Sequence, residues 1–155
     1  MSEQTIGAVL EADHHLIDSH FAAFAASLTG GEPSVRDLAA AAEGLRHHIW
    51  VEEEFHFPPL RAAGQIGPIM VMLLEHGKLW DLLDAMEAGL AAGESVADHW
   101  AELEPLLEAH NMKEERILYP SGDSLLDAAT VDVIRRAMSE PMPQGWVCEM
   151  AGRSG

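Results

Sequence analysis

Positive charge is scarce in this chain. Nine lysines and arginines stand against 26 aspartates and glutamates in 155 residues, a formal net charge of −17 with the histidines neutral. The few cations are scattered and form no basic stripe for a phosphate backbone or an anionic membrane surface, so nucleic acid is not an expected partner. Cysteine is nearly absent. Cys148 stands alone, which rules out an internal disulfide framework, and its distance along the chain from the other candidate residues marks it as a plain free thiol. No stretch approaches the ~20 apolar residues that span a bilayer, and the start "MSEQTIGAVLEADHH" has neither the basic segment nor the apolar run of a secretory leader. The expected location is the cytoplasm, without a membrane partner.

What the chain does have is a hydrophobic fraction of 48%, enough to fill one core. These residues fall into four long helical patterns with short, punctuated connections. The first is expected from about Thr5 to Thr29, with Ile6, Leu10, Ile17, Phe21, Phe24 and Leu28 spaced by threes and fours, and a stop at Gly30, Gly31 and Pro33. The second opens at Ser34, where Ser34 and Asp37 have capping-box spacing, and runs to about Ala63, with Pro58 and Pro59 expected to bend or interrupt it. The third opens at Pro68 and carries Ile69, Leu73, Leu79, Leu83, Met86 and Leu90 on one face. The fourth spans about Ser95 to Tyr119, with Pro105 either kinking it or marking a start near Leu103. Short connections favour antiparallel neighbours. The expected fold is therefore all-α: an up-down-up-down antiparallel four-helix bundle with a short fifth helix, about Thr130 to Ser139, and an irregular C-terminal tail. Residues 1–140 would form the bundle domain, and residues 141–155 a tail packed on it through Trp146.

The same stripes carry residues that do not belong in an apolar core. From Leu10 a step of four reaches His14, and a step of three returns to Ile17. The stripe through Leu38, Ala42 and Leu45 continues to His48 and Glu52. Leu73, His76 and Leu79 share a face, as do Leu103, Leu107, His110, Glu114 and Ile117. Every long helix thus sends a histidine inward, and two also send a glutamate. Counted at ~1.5 Å per residue from the helix ends, His14 lies level with His48, His76 with His110, and Glu52 within a turn of His76. Six ionisable groups in one apolar layer would be severely destabilising without partners, so metal is the economical explanation. His48 with Glu52, and His110 with Glu114, have the i, i+4 spacing that sets an imidazole over a carboxylate. The set is too large for one tetrahedral zinc and suits two iron or manganese ions sharing the glutamates.

The remaining polar residues have plainer readings. His15, His20, His47 and His99 lie off or beside the stripes and read as solvated, and His56, a turn beyond Glu52, reads as a surface residue in preference to a support for the ligands. Glu53, Glu54, Glu75 and Glu115 read as exposed helix charges, any of which could accept a proton from a ligand histidine. Trp80, Ile117 and Tyr119 read as core. A ferritin-like arrangement would use Glu-x-x-His on two helices, found as "EADH" at 11–14 and "EEFH" at 53–56. It leaves His48, His76 and His110 buried without purpose and lacks the long crossover. No His-Glu-x-x-His occurs, which removes a zinc protease.

The segments "DHHLID", "HIWVEEEFHFP", "EHGKLW" and "HNMKEERILYP" resemble, in order, the four helices of hemerythrin-like, or HHE cation-binding, domains, which carry a His, His-x3-Glu, His, His-x3-Glu pattern. The resemblance spans about Ile6 to Pro120. It implies a four-helix bundle holding a non-haem di-iron centre bridged by two carboxylates and a solvent-derived oxygen, oxo or hydroxo. Its implied ligands are His14, His48, Glu52, His76, His110 and Glu114, with manganese or zinc as lesser candidates. Oxygen-carrying hemerythrins have a further histidine four residues after the third-helix histidine, where this chain has Trp80. Fewer ligands leave more open positions and favour redox chemistry or sensing over reversible oxygen carriage. The cysteine-bearing amino-terminal segment of some iron-centre repair relatives is also missing. The expected function is a di-iron protein reacting with O2, peroxide or nitric oxide, in a redox or sensing role. The alternative is a non-catalytic module that senses iron or oxygen, or stores iron.

Overall fold

The computed structural model describes residues 4–153, and among them every regular element is helical. The outermost ends of the expected domain and tail, residues 1–3 and 154–155, lie outside that range. Helix α1 (Ile6–Thr29) starts on Thr5, whose hydroxyl accepts the Ala8 N–H. It stops at Gly30, followed by Gly31 with φ 87°, a conformation that side chains avoid. Helix α2 (Val35–Val51) starts on Ser34, whose hydroxyl accepts the Asp37 N–H at 3.1 Å. The Ser34 N–H, which a full capping box would give to Asp37, donates instead to Ser27 Oγ at 2.8 Å and ties α2 to α1.

Neither α2 nor α5 (Ala97–Lys113) ends at its glutamate. Each passes into one π-helical turn, π1 (Glu52–His56) and π2 (Glu114–Leu118), and then into a short helix, α3 (Phe57–Ala62) and α6 (Tyr119–Leu125). Proline is the cause. Pro58 and Pro120 occupy the second positions of α3 and α6, have no N–H to give, and would drive their rings into the carbonyl four residues back in an ordinary α-helix. In the widened turn the residue before each proline reaches one carbonyl further. The Phe57 N–H bonds to the Glu52 carbonyl and the Tyr119 N–H to that of Glu114. The helical path therefore continues through Pro58 and Pro59. The extra residue also rotates the helix beyond it. Ile117, expected in the core, is 57% exposed, while Leu118 and Tyr119 turn inward at 2% each.

Helix α4 (Ile66–Ala91) begins two residues before the expected Pro68, and α5 runs through Pro105 as one helix from Ala97, which removes the later start near Leu103. Asp127 caps α7 (Ala128–Ala137) through the Thr130 N–H, and this is the expected short extra helix. α1 packs on α2 and α6, and α4 on α5 and α2. Three apolar clusters fill the interior. One gathers Phe21, Phe24, Leu45, Leu79, Leu83 and Leu103; a second centres on Ile6, Leu10 and Trp50; a third centres on Phe57, Leu60 and Ile69. Along each long helix the inward histidine falls between the first cluster and one of the others.

Beyond α7 the chain is irregular but held. The Trp146 ring meets Trp80 edge to face with 5.6 Å between centroids, its Nε1–H donates to Glu54 Oε1 at 2.9 Å, and Cys148 is buried. Met150 crosses α4 at Gly77, where an added Cβ would stand 2.5 Å from the Met150 carbonyl oxygen. Among the described residues no helix is long and apolar enough to cross a membrane.

Candidate metal centre

The six inward residues meet. His14, His48, Glu52 and Glu114 form one group of four whose ligand atoms lie within 4.8 Å of one another, and Glu52, His76, His110 and Glu114 form a second. Both glutamates belong to both groups, and none of the six residues is more than 2% exposed. The depths counted from the helix ends hold: the His14 and His48 ring centroids are 4.5 Å apart and those of His76 and His110 4.9 Å. Each imidazole turns Nε2 toward a shared carboxylate. His14 reaches Glu114 Oε1 at 3.1 Å, His48 reaches Glu52 Oε2 at 3.4 Å, His76 reaches Glu52 Oε1 at 3.2 Å and His110 reaches Glu114 Oε1 at 3.3 Å.

Each Nδ1 meets a different carboxylate. His14 pairs with Glu115 at 2.8 Å, His48 with Asp13 at 2.8 Å, His76 with Glu53 at 2.7 Å and His110 with Glu75 at 2.9 Å. Donation from Nδ1–H fixes the ring and makes Nε2 more basic, as outer carboxylates do for metal-bound histidines. Three of the glutamates expected as exposed charges thus hold the imidazoles, and only Glu54 among the four is exposed. Asp13 was legible in neither role. It is the neighbour of His14 on α1 yet serves His48 on α2; the available signal is a carboxylate flanking an inward histidine, on the side facing the next helix.

Without a cation this layer collects protons. Burial pushes His110 down, but the Glu114 charge and hydrogen bonds to Glu114 and Glu75 carry its pKa up to about 10. Burial opposes His48 as well, and the Glu52 charge with the Asp13 hydrogen bond lifts it well above the usual imidazole range. Burial would raise Glu114, yet the His110 charge holds it well below the usual carboxylate range. Even so, Glu52 Oε1, His76 Nε2 and Glu114 Oε2 are buried without hydrogen-bond partners, and all three belong to the second group. Buried polar atoms left unpaired are costly. Imidazole nitrogens and shared carboxylates converging with unused lone pairs fit a first-row metal cofactor.

His56 departs from its surface reading: it is fully buried, its ring lies edge-on to Tyr119 at 5.6 Å, and neither ring nitrogen has a partner. The π1 turn keeps it nearly in line with Glu52, and Gly122 makes room, since a Cβ there would lie 3.1 Å from His56 Nε2. Burial lowers its pKa. His15 is exposed and His20, His47 and His99 are partly so. Trp80, at the position of the carriers' extra histidine, packs on Trp146 and lies 5.3 Å from the Arg46 guanidinium. Tyr119 is more than core. Its hydroxyl enters the first group, while Phe57, at the matching place after π1, stacks on His76 with 5.4 Å between centroids.

The description "hemerythrin HHE cation binding domain" matches residues 5–121, a span that includes all six residues and both π turns. The chain belongs to that family. No curated protein and no solved structure matched it.

Proposed function

We propose that this protein holds a paired non-haem iron centre and uses it in reactions with O2, peroxide or nitric oxide. The observation that carries the reading is the sharing of Glu52 and Glu114 between two buried groups of four. His14 and His48 would hold one ion, His76 and His110 the other, and the carboxylates would join them; manganese or zinc in the same donors is the lesser candidate. Iron supplies one-electron redox chemistry and affinity for small ligands at open positions. The chain's own part is to orient the imidazoles through their outer carboxylates and to exclude bulk water. A groove of about 540 Å³, lined by Glu53, Phe57, Leu73 and Trp146, lies against the two residues that touch His76, Glu53 and Phe57. The accompanying reading of the fold is an up-down-up-down antiparallel bundle over residues 1–140 with the tail laid on it, working in the cytoplasm on small molecules. The packing of α1 on α2 and of α4 on α5 supports it.

Protein made with ample iron should carry two iron ions per chain, one for each group of four, with the near-ultraviolet absorption of a bridged ferric pair. One tightly bound zinc and no iron would refute the reading. A non-catalytic sensing role has an observation of its own. Glu53 Oε2 accepts from His76 Nδ1 while Glu53 Oε1 accepts the Glu149 N–H at 2.9 Å, so one carboxylate joins the second group to the tail. Turnover separates the two: an enzyme consumes peroxide or nitric oxide repeatedly with a reductant, and a sensor changes state once.

A further inference from the structure

The chain contains one tyrosine, and its hydroxyl sits among the ligands of the first group. Tyr119 Oη lies 3.0 Å from His14 Nε2, 3.0 Å from His48 Nε2, 2.8 Å from Glu52 Oε2 and 3.2 Å from Glu114 Oε1. A phenol has one proton to give, and two of these neighbours, the Glu52 and Glu114 carboxylates, can only accept it. The spacing has another meaning. Donors ~2.1 Å from a common ion and at right angles around it stand ~3.0 Å apart. His14 Nε2 to Glu114 Oε1, at 3.1 Å, shows the same separation. The hydroxyl is therefore spaced from the donors as His14 Nε2 is from Glu114 Oε1. It is brought there by π2, because Tyr119 stands five residues after Glu114 and would turn away from the site in an unbroken α-helix. The matching residue after π1 is Phe57, which has no oxygen to offer.

Given the paired iron centre proposed above, we infer that Tyr119 is a phenolate ligand of the ferric ion held by His14 and His48, giving that ion five protein ligands and leaving four for the ion at His76 and His110. In binding, the Oη–H bond breaks, the Oη–iron bond forms, and the proton leaves to water; no electron moves. A tripositive ion at the centre of the group favours the phenolate. The open positions then lie at the ion held by His76 and His110.

The test is to load the protein with ferrous iron, oxidise it in air, and record iron content, visible absorption and resonance Raman scattering excited in the visible band. A phenolate-to-iron band with phenolate ring modes is expected in the wild type, and with a single tyrosine in the chain the assignment is unambiguous. Tyr119→Phe should keep its iron and lose both signals. Wild-type protein with a full iron pair and no phenolate modes, or a band that survives in Tyr119→Phe, would overturn the ligand while leaving the paired centre standing. Protein that takes up no iron overturns both. The wild-type spectrum decides even if the variant does not fold.

Discussion

Four carboxylates that a simple facing count leaves on the helix surfaces hold the four imidazoles. That arrangement makes them functional at one remove, through the rings they orient. Asp13→Ala should weaken metal binding roughly 10- to 100-fold by freeing the His48 ring, whereas Glu54→Ala, on the exposed side, should bind as the wild type does in a competition titration. The same residues set the pH behaviour. His110 titrates near 6.5 unfolded and at about 10 in the metal-free fold, so its stabilising contribution is whole below ~6.5 and is lost as the pH climbs toward 10. Glu114, held low, contributes above its usual range and fails as the pH falls. Metal binding runs the other way, because protons compete for the same nitrogens. Thermal melts from pH 5 to 9 should therefore show the gain from metal growing with pH; a gain that shrinks would contradict this assignment of charge. That the six inward residues would meet was legible because each replaces an apolar residue on a regular stripe. Their outer partners were legible only in part: Glu53, Glu75 and Glu115 read as exposed charges able to accept from an inward histidine, but the ring each meets lies on a neighbouring helix, which no one-helix pattern encodes, and Asp13 was missed.

At the scale of the element, the α-helical period explains everything up to Glu52 and Glu114 and fails just beyond them. The failure has one physical source, the prolines at 58 and 120, which forbid the α-helical hydrogen bond and widen the preceding turn. Counting by threes and fours through π2 puts Ile117 inside and treats Tyr119 as ordinary packing. The register is testable without any metal. Ile117→Ser should change stability by less than ~0.5 kcal/mol, as an exposed substitution does, while Leu118→Ala should cost ~2–5 kcal/mol as a buried one. An unbroken α-helix predicts the reverse order in chemical denaturation. The long helices themselves were legible to within about two residues at most ends, since Ser34 and Gly30 mark ends by local hydrogen bonding or backbone freedom alone.

For the whole molecule, metal and tail are the two terms of stability the sequence pattern describes least. Metal binds the folded set of ligands and scarcely the unfolded chain, so at a free concentration of a thousand times its dissociation constant it adds ~4 kcal/mol. Chelation should lower the melting temperature by many degrees, and acid should release iron before it unfolds the chain. One close approach of the tail is at a glycine. Gly77→Ala sets a methyl against the Met150 carbonyl and should lift the tail, exposing Cys148, whose thiol burial raises to about 12. Thiol modification should be slow in the wild type and faster in the variant; equal rates would show that the tail does not depend on that contact. The proposed centre has two carboxylates serving two ions, and iron content after removing one of them tests that most directly. Glu52→Ala should fold without an iron pair, while Glu54→Ala keeps it. A Glu52→Ala protein that still bound two iron ions per chain would contradict the shared centre.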